Sequence, residues 1–119
     1  MPRYVDGYVI PVPKKNLAAY RKLSRAAGRI WREFGALEYR ETVGDDLNIK
    51  GVWPFPRMAK LKAGETVVFS WIVYKSRADR DRVNKKIMTD PRIAKMTKTP
   101  MPFDCKRMAF GGFKMIVEA

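Results

Sequence analysis

Histidine is absent from the 119-residue chain and cysteine occurs once, at Cys105. These two shortages exclude a disulfide framework, a His/Cys metal cluster and any nucleophile that relies on an imidazole. No run approaches the 18 apolar residues of a membrane span. The first ten residues, MPRYVDGYVI, carry one basic residue and no signal-type hydrophobic region, so a cytoplasmic location and no membrane partner are expected. A single cysteine fits a reducing compartment. Acidic residues are also scarce, 12 against 25 lysines and arginines, leaving a net charge of +13.

Hydrophobic residues make up 46% and charged residues 31%, a globular composition. The length suits one domain over 1–119 with a sizeable core. The charge is spread evenly. Residues 1–60 hold 12 basic and 6 acidic residues (+6), and residues 61–119 hold 13 and 6 (+7). With no basic tail, a solvated cationic surface is the simple reading.

Alternation over 4–12 predicts a strand closed by Pro11 and Pro13. Over 14–35, Leu17, Tyr20, Leu23, Ala27, Ile30, Trp31 and Phe34 form one helical stripe opposite Arg21, Arg25, Arg29 and Arg32. Gly35 is the natural stop. Residues 36–43 read as a second strand. Residues 45–64, with Trp53-Pro54-Phe55-Pro56, read as a long loop in which the two prolines exclude a helix. Residues 65–75, ETVVFSWIVYK, are apolar on both faces, as a buried central strand would be. Ser76-x-x-Asp79 opens a second helix to about 89. Asp90-Pro91 opens a short one over 91–97. Residues 98–104 are loop, and 105–117 are the last strand, with Gly111-Gly112 marking a bulge or a close backbone approach.

The order β-α-β, β-α-β makes an α+β split βαβ arrangement, an antiparallel four-stranded sheet with both helices on one face. The uncovered face would be apolar beyond what a soluble monomer usually tolerates, so a homodimer packed sheet against sheet is expected.

Candidate site residues follow from polar groups in apolar strands. Asp6, Glu38 and Arg40 come first. Glu38 and Arg40 share a face, and Asp6 is expected to join them because the first and third elements are neighbours in this topology. Buried charges must be paired, so the group is either an ion network or a ligand site. Ser70 and Tyr74 share a face with Ile72 and are further candidates. So is Lys106, beside Asp104 and Arg107, where an anion could be held. Trp53 and Phe55 suit a dimer contact or a lid. Cys105 lacks a proton acceptor for catalysis, and Asp45-Asp46 is too slight for a metal site. No cofactor is expected. Whether the chain is an enzyme stays open.

The segments DGYVIPVPKKNLAAYRKL, GALEYRETVGDD, KAGETVVFSWIVYKSRADRDRVNKKIM and MPFDCKRMAFGGFK resemble the YbaA-like family of uncharacterised bacterial proteins, a domain of unknown function. The resemblance implies a ferredoxin-like fold, a dimeric α/β barrel and a bacterial cytoplasmic setting. It implies no activity. Two functions remain. One is a binding domain or cofactor-free enzyme for a small anionic or aromatic molecule, with its pocket between sheet and helices. The alternative is a non-specific nucleic-acid or polyanion binder using the basic first helix. Arginines on a helix without interleaved aromatics suit phosphates rather than base edges, so specific nucleic-acid recognition is not expected.

Overall fold

A computed structural model describes residues 1–119. Strand β1 (Tyr4–Pro13) leads through a 3-10 turn (Lys14–Asn16) into helix α1 (Leu17–Glu33), followed by β2 (Glu38–Val43). After the short helix α2 (Phe55–Met58) come β3 (Glu65–Tyr74), α3 (Arg77–Thr89) and α4 (Pro91–Thr97). A second 3-10 turn (Cys105–Arg107) then leads into β4 (Ala109–Lys114). All strand pairs are antiparallel, in the order β2-β3-β1-β4.

Local signals account for most boundaries. Gly35 has φ +119°, and the amides of Gly35 and Ala36 bond back to the carbonyls of Arg32 and Trp31. This is the glycine-terminated helix end that satisfies orphan carbonyls. The Ser76 hydroxyl accepts from the Asp79 amide, and Asp90 accepts from the Arg92 amide ahead of Pro91. Two expectations need correction. The Trp53–Pro56 stretch contains a helical turn, because Pro56 falls in the first turn of α2, where no amide partner is lost. The last strand is shorter than 105–117, since residues 105–107 form a 3-10 turn capped by Asp104.

Parity assigns the two sheet faces. Tyr8, Ile10 and Val12 of β1, and Val68, Ile72 and Tyr74 of β3, meet the helices. They pack with Tyr20 and Ile30 of α1 and with Val83 and Ile87 of α3 in two adjoining cores. Phe69 and Trp71 point the other way. There α2 covers part of the sheet, with Phe55 against Phe69 at 6.2 Å between ring centroids. Phe69 is still 45% exposed and Phe113 61%. Gly112 is required by a close approach, because a Cβ there would overlap the Tyr4 hydroxyl and the Arg80 guanidinium.

Arg107 ties the turn before β4 to the start of β3 by donating to both Glu65 carboxylate oxygens, at 2.6 and 2.8 Å. These bonds, helped by the Lys62 amide, hold the Glu65 carboxyl down at about 2, against an ordinary 4.5. A depressed acid stabilises the fold above its unfolded value, and that contribution disappears as pH falls through the folded one. Glu65→Gln should therefore cost about 1.5 kcal/mol near neutrality. In urea unfolding, the gap between variant and parent should close between pH 4.5 and pH 2. A gap that persists at pH 2 would refute the assignment.

Candidate functional site

Helix α1 packs its inner side against the sheet. The buried residues Tyr20, Ser24 and Gly28 follow one another at intervals of four along its inner side. Residues spaced in this way share a helix face. The Tyr39 ring of β2 lies directly against Gly28, and a Cβ at Gly28 would stand 2.6 Å from a ring carbon. Two adjoining spaces result. An inner cavity of about 170 Å³ is lined chiefly by apolar side chains, among them Ile10, Leu23, Trp31, Ile72, Phe103 and Met108. An outer groove of about 880 Å³ runs between α1 and β2. Tyr20, Ser24, Tyr39, Arg40 and Glu41 line both spaces, so they form the shared border, or neck, at which the two adjoin.

Glu41 is the chemical centre of the neck. Its Oε1 accepts from the Tyr20 hydroxyl at 2.7 Å, and its Oε2 accepts from the Tyr39 hydroxyl at 2.8 Å. Burial, reinforced by the Glu41 charge, pushes both phenols well above the ordinary value of 10. They therefore remain hydrogen-bond donors throughout the physiological range. Tyr8 also lines the inner cavity, its ring stacked on Phe110 at 4.9 Å. Its phenol is likewise pushed up, by burial first and then by the charges of Asp6 and Glu41.

The outer groove is strongly cationic. Arg21, Arg25, Arg29 and Arg32 border it from α1, and Glu41 is the one acid on its walls; Arg40 touches its edge from β2, with its side chain on the opposite sheet face. Arg32 is engaged with the carbonyls of Ala36 and Leu37. Arg40 stands 3.6 Å from Glu38. Arg21, Arg25 and Arg29 form no ion pair within the chain.

The six residues singled out from the sequence fall in separate places. Asp6 does not stand with Glu38 and Arg40. It pairs across β1 and β3 with Ile72, on the helix side, whereas Arg40 pairs with Trp71, on the opposite face. Glu38 there accepts from the Trp71 indole at 3.0 Å. Neighbouring elements do not guarantee a shared face, because inter-strand register decides parity.

Asp6 is fully buried against α3, with Arg80 Nε 3.2 Å from its Oδ1 and the Asn84 amide donating to its Oδ2 at 3.4 Å. The Tyr74 hydroxyl donates to Asn84 and accepts from the Trp31 indole. This network ties together β1, β3, α1 and α3. Burial raises the Asp6 pKa, with the Arg80 charge opposing it. Ser70 is buried and lines the inner cavity beside Tyr20. Lys106 is exposed on the second 3-10 turn, away from both spaces.

Sequence reasoning missed Glu41, Tyr20 and Tyr39 as a unit. The signal was available in part: Tyr20, Ser24 and Gly28 form a row of one aromatic and two small residues, an unusual inner stripe for a helix that only fills a core. No three acidic or cysteine side chains gather into a metal-binding group. No helix is long and apolar enough to cross a membrane.

Comparison with known proteins agrees with this architecture. The profile of a family described as "Protein of unknown function (DUF1428)" matches residues 3–105. The uncharacterized protein YbaA of Escherichia coli (strain K12) is 42% identical over 116 residues, covering 98% of both chains. The same protein of Shigella flexneri matches equally. Among solved structures, a dimeric ferredoxin-like protein from an uncultured marine organism aligns over 100% of both chains, with TM-score 0.57 and 11% identity. Rv0793 from Mycobacterium tuberculosis aligns over 100% of this chain and 99% of its own, with TM-score 0.58 and 20% identity. At these identities the likeness is one of fold, and the α+β ferredoxin-like class follows.

Proposed function

We propose a ligand-binding role for this chain, which belongs to the DUF1428 family of proteins of unknown function. The ligand is a small organic anion with a compact apolar body, held between α1 and the sheet. The observation that carries this reading is the cleft itself, an apolar inner cavity adjoining a groove with several arginines and one acid. Small-molecule sites are mostly apolar with a few placed polar groups, and guanidinium groups pair in bidentate fashion with carboxylates. Binding ranks above catalysis, because none of the residues around the neck is a nucleophile with a base beside it.

The test is a thermal-shift titration with 3-phenylpropionate, with inorganic phosphate as the purely ionic control. A ligand that binds only the folded state raises its stability in proportion to the logarithm of concentration over Kd. We expect stabilisation by 3-phenylpropionate and little by phosphate. The Arg25→Gln/Arg29→Gln double variant should lose about tenfold or more in affinity, since a charge-assisted hydrogen bond is worth about 1.5–3 kcal/mol. Both positions are exposed on a helix and glutamine is a good helix former, so folding should survive. Affinity unchanged in the double variant would remove the arginines from the account. Stronger stabilisation by phosphate would favour a polyanion reading instead, with single- or double-stranded nucleic acid held through phosphates and released by salt.

We further propose that the chain acts as a homodimer through the sheet face opposite the helices. Exposed Phe69 and Phe113, with Phe55 packed against Phe69, make that face unusually apolar for a monomer. The solved neighbour of the same fold described as dimeric supports the reading. Light scattering at micromolar concentration should give twice the 13.8 kDa chain mass, and Phe69→Lys should shift it toward the monomer. A monomeric mass for the parent protein would refute the dimer.

A further inference from the structure

Resting on that binding role, we infer that the ligand is an aromatic hydroxy acid whose hydroxyl lies between its ring and its carboxylate. The order of groups along the cleft carries the inference. The inner cavity, about 170 Å³, is walled by Trp31, Ile72, Met101, Phe103 and Met108 with the Tyr8 ring. A dry cavity of about 150 Å³ holds one benzene, so the body of the ligand is a single ring. The neck comes next, and then the arginines of the groove. A ligand that fills all three must present apolar body, neutral polar group and anion in that order.

The neck specifies what the middle group is. An ionised carboxylate has about four acceptor positions. Tyr20 occupies one on Oε1 of Glu41 and Tyr39 one on Oε2, so Glu41 can accept a further hydrogen bond from a ligand. It cannot face another anion without repulsion, which directs the ligand carboxylate outward to Arg25 and Arg29. Tyr8 supplies the complement. Of the three tyrosines lining the inner cavity, Tyr20 and Tyr39 spend their hydroxyls on Glu41, whereas Tyr8 donates to no group of the chain. Tyr8 and Glu41 flank Ser70 on the same face of the sheet, one from each neighbouring strand, and both line the inner cavity. One ligand hydroxyl can meet both needs, donating to Glu41 and accepting from Tyr8. A ketone could accept from Tyr8 but leaves Glu41 without a donor. A bare hydrocarbon linker satisfies neither.

Ring, hydroxyl and carboxylate fixed at three points also make the site chiral. Calorimetric titration of the intact protein with the two enantiomers of 3-phenyllactate and with 3-phenylpropionate tests the inference directly. One enantiomer should bind about tenfold or more tightly than 3-phenylpropionate, and more tightly than its mirror image. Sites built to hydrogen-bond a hydroxyl discriminate strongly against the analogue that lacks it. Tyr8→Phe should reduce the hydroxyl advantage to within about threefold while leaving 3-phenylpropionate binding nearly unchanged. Glu41→Gln, if it folds, should also reduce the hydroxyl advantage, while relieving the repulsion felt by all three acids; Tyr8→Phe stands without it. Equal binding of all three acids overturns this inference and leaves the wider binding role intact. Binding of none of them overturns both. A hydroxyl advantage that survives Tyr8→Phe at full size also overturns the assignment of the neck.

Discussion

Arg80→Met should destabilise the fold by about 3–5 kcal/mol, the usual cost of leaving a buried charge without its partner. That is a large share of the 5–15 kcal/mol typical of a domain. Asp6 is wholly inaccessible, and Arg80 is the one cation against it, its guanidinium also lying over the Tyr4 ring at 4.9 Å. Asn84 supplies a neutral hydrogen bond that does not offset a full charge. The pH dependence distinguishes this from a mere packing defect. Burial already raises the Asp6 pKa in the parent, and losing Arg80 raises it further. An acid whose folded value is raised destabilises the fold when ionised, and the penalty vanishes below its unfolded value, 3.8. The gap between Arg80→Met and parent should therefore be widest near neutrality and narrow as pH falls toward 3.8. A pH-independent gap would mean that the lost contacts of the arginine stem, not the stranded carboxylate, carry the cost. Asp6→Asn, which removes the charge and keeps the shape, should be the milder change.

Gly28→Val should damage both fold and site. The valine Cβ would press on the Tyr39 ring at about 2.6 Å, and its methyl groups would reach further. Overpacking of this kind costs about 1–3 kcal/mol, and the helix has to lift or the ring has to turn. Either movement breaks the Tyr39 bond to Glu41 and changes the neck. Loss of 3-phenylpropionate binding should accompany a lower melting temperature. Gly28→Ala should show the same pattern at smaller amplitude, partly offset by the better helix propensity of alanine. A Gly28→Val protein of parental stability and affinity would show that α1 and β2 are not held at the observed separation.

Much of the architecture was legible from pattern. Element types and order follow from period and punctuation. The apolar stripe of α1 ends at Gly35, Ser76 and Asp90 cap the next helices, and the doubly apolar β3 is interior. The turn at Phe55–Met58 is not legible in the sequence, because Pro56 has the pattern of a breaker and only its place in the first turn makes it harmless. The candidate site was legible only in pieces. Ser70 lines the cavity, and Arg40 borders the groove. Asp6 and Tyr74 belong to a network that fastens α3 and α1 to the sheet, and Glu38 serves the open face.

Local sequence carries local physics. Backbone propensity, caps and alternation act over a few residues, so they settle which segments are helix or strand and which residues of one strand share a face. They also settle the excess of positive charge and the absence of histidine chemistry. Which face of β1 matches which face of β2 is set by pairing with β3, about sixty residues from β1 along the chain. That register turned Asp6 toward the helices, away from Arg40, and brought Glu41 toward the same side. The distance between α1 and β2 was likewise decided in three dimensions, by Gly28 resting on Tyr39. With a side chain at Gly28, no periodicity along the chain would change, yet the cleft between Glu41 and the arginines would. Sequence period fixes which way a residue points within its own element, whereas a binding site is made of directions and separations between elements.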